Sequence, residues 1–320
     1  MTLVARLPLI GSWYREYISL SPERRREARA GYLFISPWLI GFLVFFVGPI
    51  IASFILSFMD WNIVGQPTWA GLDNYIDIFT TDARFAKAVQ VTLTYAVFFL
   101  PLEVMCGIGL ALVMNQKLSG IGIFRTMYYM PYVVPQVAVA LVWVWLLNGR
   151  YGLVNTILGW VGIDGPNWLQ SPQWVLPSLI LISLWGVGGS AVIYLAGLQN
   201  IPQVFYEAAT VDGANKLQMF RNITLPMLSP TIFFQLVLGL IGVFQTFTPA
   251  YIAAGASGGP LQSGLFYMLY IYNRGFETQR MGYASALAWI LTAFILVVTV
   301  LVLRSSRYWV YYESDRAANK

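Results

Sequence analysis

The sequence has no histidine, one cysteine and few charged residues, and each shortage excludes a class of function. Without histidine, the chain has no imidazole to act as a general base or to bind a metal ion near neutral pH. Cys106 lies inside an apolar stretch, so neither a disulfide framework nor a thiolate metal site can form within the chain. We therefore predict no metal site, no cofactor and no catalytic residue.

The shortage of charge also indicates the class of protein. Only 10% of the residues are charged, against about 25% in an ordinary soluble domain. Hydrophobic residues make up 58% of the chain, and the mean hydropathy is +0.65. This composition predicts an all-α integral membrane protein. The net charge of +5 does not indicate nucleic-acid binding, because the basic residues are scattered over loops that flank the apolar segments.

A phosphate-binding loop is also missing. No G-x4-G-K-[S/T] pattern occurs, and the glycine-rich stretch 255–264 has neither the lysine nor the strand–loop–helix context. The chain therefore cannot bind ATP in the usual way, and a partner must supply any energy from ATP.

Long apolar runs predict six transmembrane helices, because a helix needs about 20 apolar residues to cross a bilayer. The six cover residues 31–59, 88–114, 126–147, 174–198, 228–251 and 281–303. We expect the first to be retained, since it is too long for a signal peptide and no small-residue cleavage site follows. The run 261–272 is only twelve residues long and indicates an interfacial or re-entrant helix.

The distribution of lysine and arginine predicts the orientation. With six spans both termini lie on one side, and fourteen of the nineteen basic residues belong to that side. The other five are Arg84, Lys87, Arg150, Arg274 and Arg280. Because basic loops stay in the cytoplasm, we expect both termini to be cytoplasmic, together with the loop 201–226.

The loop 201–226, called the signature loop below, is a polar island between two apolar spans. Alanines around Glu207 favour a helix, Gly213 favours a turn, and Pro226 suits the first turn of a following helix. The pattern predicts a short helix, a glycine turn, a second short helix and re-entry into a span. Such a surface element is suited to docking rather than to catalysis.

The spacing E-A-A-x3-G-x9-I-x-L-P in the signature loop resembles the cytoplasmic loop of permease subunits of bacterial ABC importers. The extended form that begins at Tyr206 is most similar to the carbohydrate-uptake branch. The stretches 71–75, 128–135 and 258–260 add weaker similarity to sugar permeases. The whole resembles the larger of the two permease subunits in oligosaccharide and glycerol-phosphate importers, without the large outer-loop domain of the maltose type.

The resemblance implies a type-1 ABC importer permease fold and a division of the chain into four regions. These are a cytoplasmic tail 1–30, a first helix and outer loop 31–87, a permease core 88–303 and a cytoplasmic tail 304–320. The implied partners are a second permease, two cytoplasmic ATPase subunits, an extracytoplasmic solute-binding protein, the lipid bilayer and a carbohydrate. The implied ATPase-coupling residues are Glu207, Ala208, Ala209, Asp212, Gly213, Ile223, Leu225 and Pro226. Among these, Glu207 is expected to pair with a basic residue of the ATPase.

Sugar recognition needs aromatic faces and uncharged hydrogen-bonding groups. The fourth and fifth spans offer Trp185, Gln245, Thr248 and Tyr251, which we take as candidates to line a solute cavity. The alternative is that Trp185 and Tyr251 belong to an interfacial aromatic belt and that Gly188, Gly189 and Ser190 allow close helix packing. Glu103 is the only acid within a span. Three roles are open for it: a residue that binds the solute, a hydrogen-bonding partner between helices, or a neutral acid. We favour a structural role.

The function predicted from these features is that of a permease subunit that translocates a sugar or oligosaccharide by alternating access, driven by separate ATPase subunits. An ion-coupled secondary transporter is the alternative, but the spans contain no acid–base pair. A membrane enzyme is disfavoured by the absence of histidine and of clustered acids.

Overall fold

The computed structural model describes residues 21–311, which are mostly helical. Arg6, Arg15, Arg316 and Lys320, counted above for the orientation, lie outside this range. The chain divides into two compact units, residues 1–56 and 57–320. The described part of the first unit is one helix, α1 (Pro22–Leu56), which contains a single wide turn at Leu43–Val47.

The second unit contains twelve further helices in its described part and a two-stranded hairpin, β1 (Met59–Asp60) and β2 (Thr68–Trp69). The helices are α2 (Asp73–Thr80), α3 (Ala83–Met114), α4 (Ile121–Val133), α5 (Gln136–Leu146), α6 (Leu153–Trp160), α7 (Pro172–Leu184), α8 (Gly188–Gln199), α9 (Gln203–Val211), α10 (Lys216–Phe244), α11 (Thr248–Ala254), α12 (Tyr267–Tyr272) and α13 (Met281–Trp309).

Four of the described helices, α1, α3, α10 and α13, are each long and apolar enough to cross a membrane. Two further spans are possible as bent pairs, with α4 and α5 at 96° and α7 and α8 at 50°. The prediction of an all-α membrane protein is confirmed, with four to six apolar spans. The number six stays a prediction.

The third predicted span, 126–147, is not one straight helix. The chain leaves the helical conformation at Val134 and Pro135, whose ψ angles are 135° and 132°. Proline has no N–H to donate and disfavours the helical conformation of the residue before it. The break at Pro135 therefore separates α4 from α5.

The bend between α7 and α8 lies at residues 185–187 of the fourth predicted span. Three successive backbone N–H groups there, on Trp185, Gly186 and Val187, donate to carbonyls three residues back. This tighter 3₁₀ pattern interrupts the α-helix. A Cβ at Gly188 would lie 1.9 Å from the carbonyl oxygen of Tyr128. Glycine at that position thus allows α4 to cross close to α8.

The helix that contains the fifth predicted span, 228–251, begins and ends earlier in the chain than expected. Helix α10 already begins at Lys216, so the second short helix expected in the signature loop is continuous with the span. A wide turn at Phe220–Thr224 lies between them, and Leu225 N–H donates to the carbonyl of Phe220. Because that turn already shifts the hydrogen-bond register, Pro226 is accommodated within the helix rather than at its start.

Two clusters of buried residues hold the second unit together. The smaller contains Met114, Leu198, Ile201 and Leu228, near the ends of α3, α8 and α10 that adjoin α9; we call this the α9 end. The larger contains Tyr95, Phe266, Tyr267, Tyr283 and Leu287 and extends to the opposite end. Helix α12, expected to be interfacial or re-entrant, has six residues and three of them are buried, so it packs into this cluster.

Candidate functional site

The signature loop forms a helix, a tight turn and a second helix, as expected up to Lys216. Gly213 follows the last turn of α9 with φ of +78°, which glycine adopts without strain. The N–H of Gly213 donates to the Thr210 carbonyl at 3.1 Å, and that of Ala214 to the Ala209 carbonyl at 2.9 Å. Both bonds belong to a Schellman motif, so the glycine is required by the turn itself.

The start of α10 is also fixed locally. Asn215 Oδ1 accepts from Gln218 N–H at 2.9 Å, and Gln218 Oε1 accepts from Asn215 N–H at 2.8 Å. This capping box satisfies two backbone donors that a helix start otherwise leaves free. The hydroxyls of Tyr206 and Thr224 share a hydrogen bond of 2.9 Å, which ties α9 to α10. The helix–turn–helix is therefore a preformed element.

The predicted coupling residues fall into two groups. Glu207, Ala208, Asp212, Gly213 and Leu225 are exposed, whereas Ala209, Ile223 and Pro226 are half-buried. Ile223 packs against the cluster at the α9 end and so also supports the loop from inside. Glu207 has no ion-pair partner among residues 21–311.

Apolar side chains of α9 and of the start of α10 are exposed as well. Val211 is 88% exposed and Leu217 is 74% exposed, and Val204 and Phe205 are exposed as well. Several exposed apolar side chains close in sequence to an exposed carboxylate are typical of a protein-docking surface. The spacing motif indicated the polar residues of this surface but not its apolar ones.

A cavity of about 550 Å³ lies between α3, the α4–α5 break, the α7–α8 bend, α10 and the start of α11. Its size falls within the range usual for small-molecule sites. Polar groups and aromatic rings both contribute to its wall. The polar side chains are those of Tyr95, Glu103, Tyr132, Gln136, Ser183, Ser190, Gln235, Gln245, Thr246 and Thr248.

The four residues predicted to line a cavity are placed differently from one another. Gln245 and Thr248 lie in the wall, whereas Trp185 and Tyr251 lie outside it. Trp185 is half-exposed and contacts Trp143 edge to face, with ring centroids 5.5 Å apart. Tyr251 stacks on Phe247 at 5.3 Å, and Phe247 is the ring that faces the cavity.

Gln245, Thr248 and Tyr251 were expected to share the fifth span, and on one helix their spacing of three residues would have placed them on one face, but the three are not on one helix. Helix α10 ends at Phe244, and a new helix begins at Thr248. Pro249 has no N–H to donate to the carbonyl four residues back, and Phe247 has left the helical region at φ −130° and ψ −59°. Gln245 and Thr246, which lie at this break, both line the cavity.

Other wall residues were missed from the sequence. Gln136 and Gln235 are single amides in apolar helices, and Tyr95 and Ser183 are joined by a hydrogen bond of 2.7 Å across α3 and α7. The rarity of polar groups within spans is the signal that could have indicated the glutamines. Of the three residues considered for close helix packing, Gly189 and Ser190 lie in the wall, whereas Gly188 does not.

Glu103 is the one residue of the cavity wall that carries a formal charge. A Cβ placed on Gly239 of α10 would lie 3.2 Å from Glu103 Oε2, so the carboxylate sits directly against that glycine. The structural role favoured for Glu103 from the sequence stays a prediction, and the structure adds that the residue also lies in the cavity wall.

A polar cluster ties three elements together at the end opposite α9. Asp82 caps α3 by accepting from the N–H groups of Arg84 and Phe85, and it also accepts from the hydroxyls of Tyr270 and Tyr283. Arg274 lies 3.3 Å from the same carboxylate. Burial alone would raise the pKa of Asp82, but these hydrogen bonds and the Arg274 charge outweigh it and hold the pKa below its ordinary value.

Three comparisons with known proteins bear on both sites. Residues 103–310 match the family model described as a binding-protein-dependent transport system inner membrane component. A probable ABC transporter permease of Bacillus subtilis, YesP, is 45% identical over 91% of this chain and 94% of its own length. The trehalose/maltose permease MalF of Thermococcus litoralis is 31% identical over 90% of this chain and 97% of its own.

A solved structure is similar over nearly the same length. It is a bacterial ABC transporter involved in the import of the acidic polysaccharide alginate. The TM-score is 0.79 at 29% identity, and the match covers 89% of this chain and 97% of that one. The matched family region contains the signature loop and most of the residues that form the cavity wall.

Proposed function

The chain belongs to the family of inner-membrane components of binding-protein-dependent transport systems, and we propose that it forms half of the path by which a sugar or oligosaccharide is imported. It is a multi-pass membrane permease by virtue of that family. Sugar as the solute is supported by the trehalose/maltose relative and by a cavity wall of amides, hydroxyls and an aromatic ring.

One observation carries the proposal: α10 connects the signature loop directly to the cavity. The helix begins at Lys216, beside the Gly213 turn, and ends at Phe244, next to Gln245 and Thr246 in the wall. Its 29 residues extend over about 43 Å. A displacement of the docking element is therefore transmitted along a single helix to the cavity.

The mechanism is alternating access. ATP closes a pair of ATPase subunits, the signature loop moves with them, and the cavity opens toward a docked solute-binding protein. Hydrolysis of ATP resets the complex. This chain binds and positions the solute and transmits the movement, while a separate subunit hydrolyses ATP.

The partners in this mechanism are a second permease, two ATPase subunits and an extracytoplasmic solute-binding protein. The exposed carboxylate of Glu207 and the apolar residues around it suit a groove on an ATPase. Two features support cytoplasmic termini. Six predicted spans put both termini on one side, and that side has fourteen basic residues against five on the other. The transport core is then 88–303, preceded by the helix and outer loop 31–87 and flanked by tails 1–30 and 304–320.

An ion-coupled secondary transporter is not favoured. The family depends on a binding protein. None of the residues lining the cavity is a lysine or an arginine that could pair with Glu103 in a proton relay. A membrane enzyme is likewise disfavoured, since the family consists of transport components.

The test is solute uptake by the complete complex in proteoliposomes, with the solute-binding protein outside and ATP inside. We expect ATP-dependent accumulation of a sugar from a mixture of starch, arabinan and galactan fragments. Accumulation driven by an ion gradient without ATP would contradict the proposal, and so would the absence of accumulation of any sugar.

A further inference from the structure

We propose that Glu103 contacts the transported solute and makes the cavity selective for neutral sugars over uronates. This inference rests on the proposed sugar-import function and adds to it the charge class of the solute and the residue that determines it.

The position of Glu103 is the first support. It lies on α3, about 16 Å along the helix axis from Met114 at the α9 end, and therefore well inside the span. A carboxylate at that depth is costly and is usually retained for a role in a cavity or an interface. Gly239 leaves room for the carboxylate, because a side chain there would crowd Oε2.

The unused hydrogen-bonding capacity of Glu103 is the second support. An ionised carboxylate can accept about four hydrogen bonds. No hydrogen bond and no ion pair joins Glu103 to another residue of the part described, 21–311. Glu103 is half-buried and borders the open cavity, so a solute that brings donors has access to its oxygens. Sugar hydroxyls are such donors, and neighbouring hydroxyls on one ring can bind the two oxygens together.

The charge of the cavity wall is the third support. Its lining residues carry one negative charge and no positive charge. Like charges repel strongly where water is scarce, so a uronate carboxylate is disfavoured beside Glu103. The similar solved transporter imports an acidic polysaccharide. An acidic solute requires basic groups in the wall, whereas this wall contains an acidic side chain and no basic one.

The experiment measures the selectivity of the cavity itself. Saturation-transfer NMR is recorded on the purified permease–ATPase complex without the solute-binding protein, so that only the membrane complex selects. The probes are maltotriose and arabinotriose as neutral sugars and trigalacturonate and trimannuronate as uronates. We expect signals from at least one neutral sugar and none from the uronates. Signals from a uronate, or from none of the four probes, would overturn the inference.

Two variants assign the selectivity to one residue. For Glu103→Gln we expect about a tenfold weaker affinity for the neutral sugar, which corresponds to the loss of one charged hydrogen bond, and the appearance of uronate signals. Complex yield is measured in parallel, so that a change in affinity is distinguished from a loss of assembly. Glu277→Gln removes the same charge outside the cavity, where Glu277 accepts from Asn273, and should behave as wild type.

The remaining outcomes separate this inference from the function on which it rests. If Glu103→Gln lowers complex yield but leaves selectivity unchanged, Glu103 is structural and the inference fails. If the complete wild-type transporter accumulates sugars but Glu103→Gln keeps the wild-type selectivity, the inference fails and the function stands. If no sugar accumulates with ATP, the proposed function itself fails.

Discussion

Glu207 is the residue on which attachment of the ATPase depends in this account. It is exposed in the middle of α9, and Val204 and Val211 of the same helix are exposed too. Truncation of one partner of a desolvated charge pair costs about 2–5 kcal/mol. We expect the Glu207→Ala variant to be present in the membrane at normal levels. The amount of ATPase that co-purifies with it should fall at least about tenfold.

Asp164→Ala is the matched control, because Asp164 is also an exposed acid but lies in the loop between α6 and α7. It should recover the ATPase normally. Normal recovery of an active complex with Glu207→Ala would show that the carboxylate does not contribute to docking.

Gln245 is the residue that tests the cavity wall. Replacement by leucine keeps the side-chain bulk but removes the amide, and an unpaired solute hydroxyl costs roughly 1–3 kcal/mol if the contact is buried. We therefore expect Gln245→Leu to lower sugar uptake per assembled complex by about tenfold, while basal ATPase activity persists.

Gln90→Leu serves as the comparison, since Gln90 lies on α3 in a separate groove shared with α7. Its uptake should match that of the wild type. If Gln245→Leu also transports normally per assembled complex, Gln245 does not contact the solute.

At the scale of elements, hydropathy predicts where the spans lie but not where they bend. Pro101 and Pro230 lie inside α3 and α10 without ending them, whereas Pro135 and Pro249 stand at breaks. All four lack an N–H, so the local sequence does not distinguish them. Whether the freed carbonyl finds another partner depends on the neighbouring helices, which only the folded structure supplies.

The signature loop and the cavity also differ in how far the sequence predicts them. The Gly213 turn is predictable because the glycine, the Schellman hydrogen bonds and the capping box all lie within ten residues. The cavity is not, because Glu103, Gln136 and Gln235 come from three helices far apart in the chain. Gln245 was identified from its position, but the break that turns it into the wall was not.

The Asp82 cluster joins α3, α12 and α13, and its stability depends on pH. The folded pKa lies below the ordinary value of 3.8, so its stabilisation is present above that value and is lost as the pH falls through the folded pKa. We expect Asp82→Asn to lower the free energy of unfolding by roughly 1–3 kcal/mol at pH 7. The difference from wild type should shrink below about pH 4.

Thermal unfolding between pH 3 and pH 7 measures this difference, with Asp77→Asn as the exposed control in α2. A destabilisation by Asp82→Asn that stays constant over the whole pH range would mean that the ionised carboxylate is not the stabilising group.

For the whole molecule, the fourteen-to-five distribution of basic residues predicts the orientation. We expect a phosphatase reporter to be inactive when fused at Lys320 and active when fused near Gln262. Cytoplasmic fluorescence of a fusion at Lys320 provides the complementary readout. An active phosphatase at Lys320 would contradict the orientation and remove the signature loop from the reach of an ATPase.

The most direct test of alternating access is the side from which the cavity can be reached. Cys106→Ala removes the one native thiol of this chain, and Thr246→Cys places a thiol in the cavity wall. Membrane vesicles of both orientations that contain the complete complex are treated with an impermeant maleimide, and labelling of this chain is read by mass. We predict labelling from the cytoplasmic side without nucleotide. With a non-hydrolysable ATP analogue and the solute-binding protein, labelling should come from the opposite side. Labelling from the same side in both states would contradict the account.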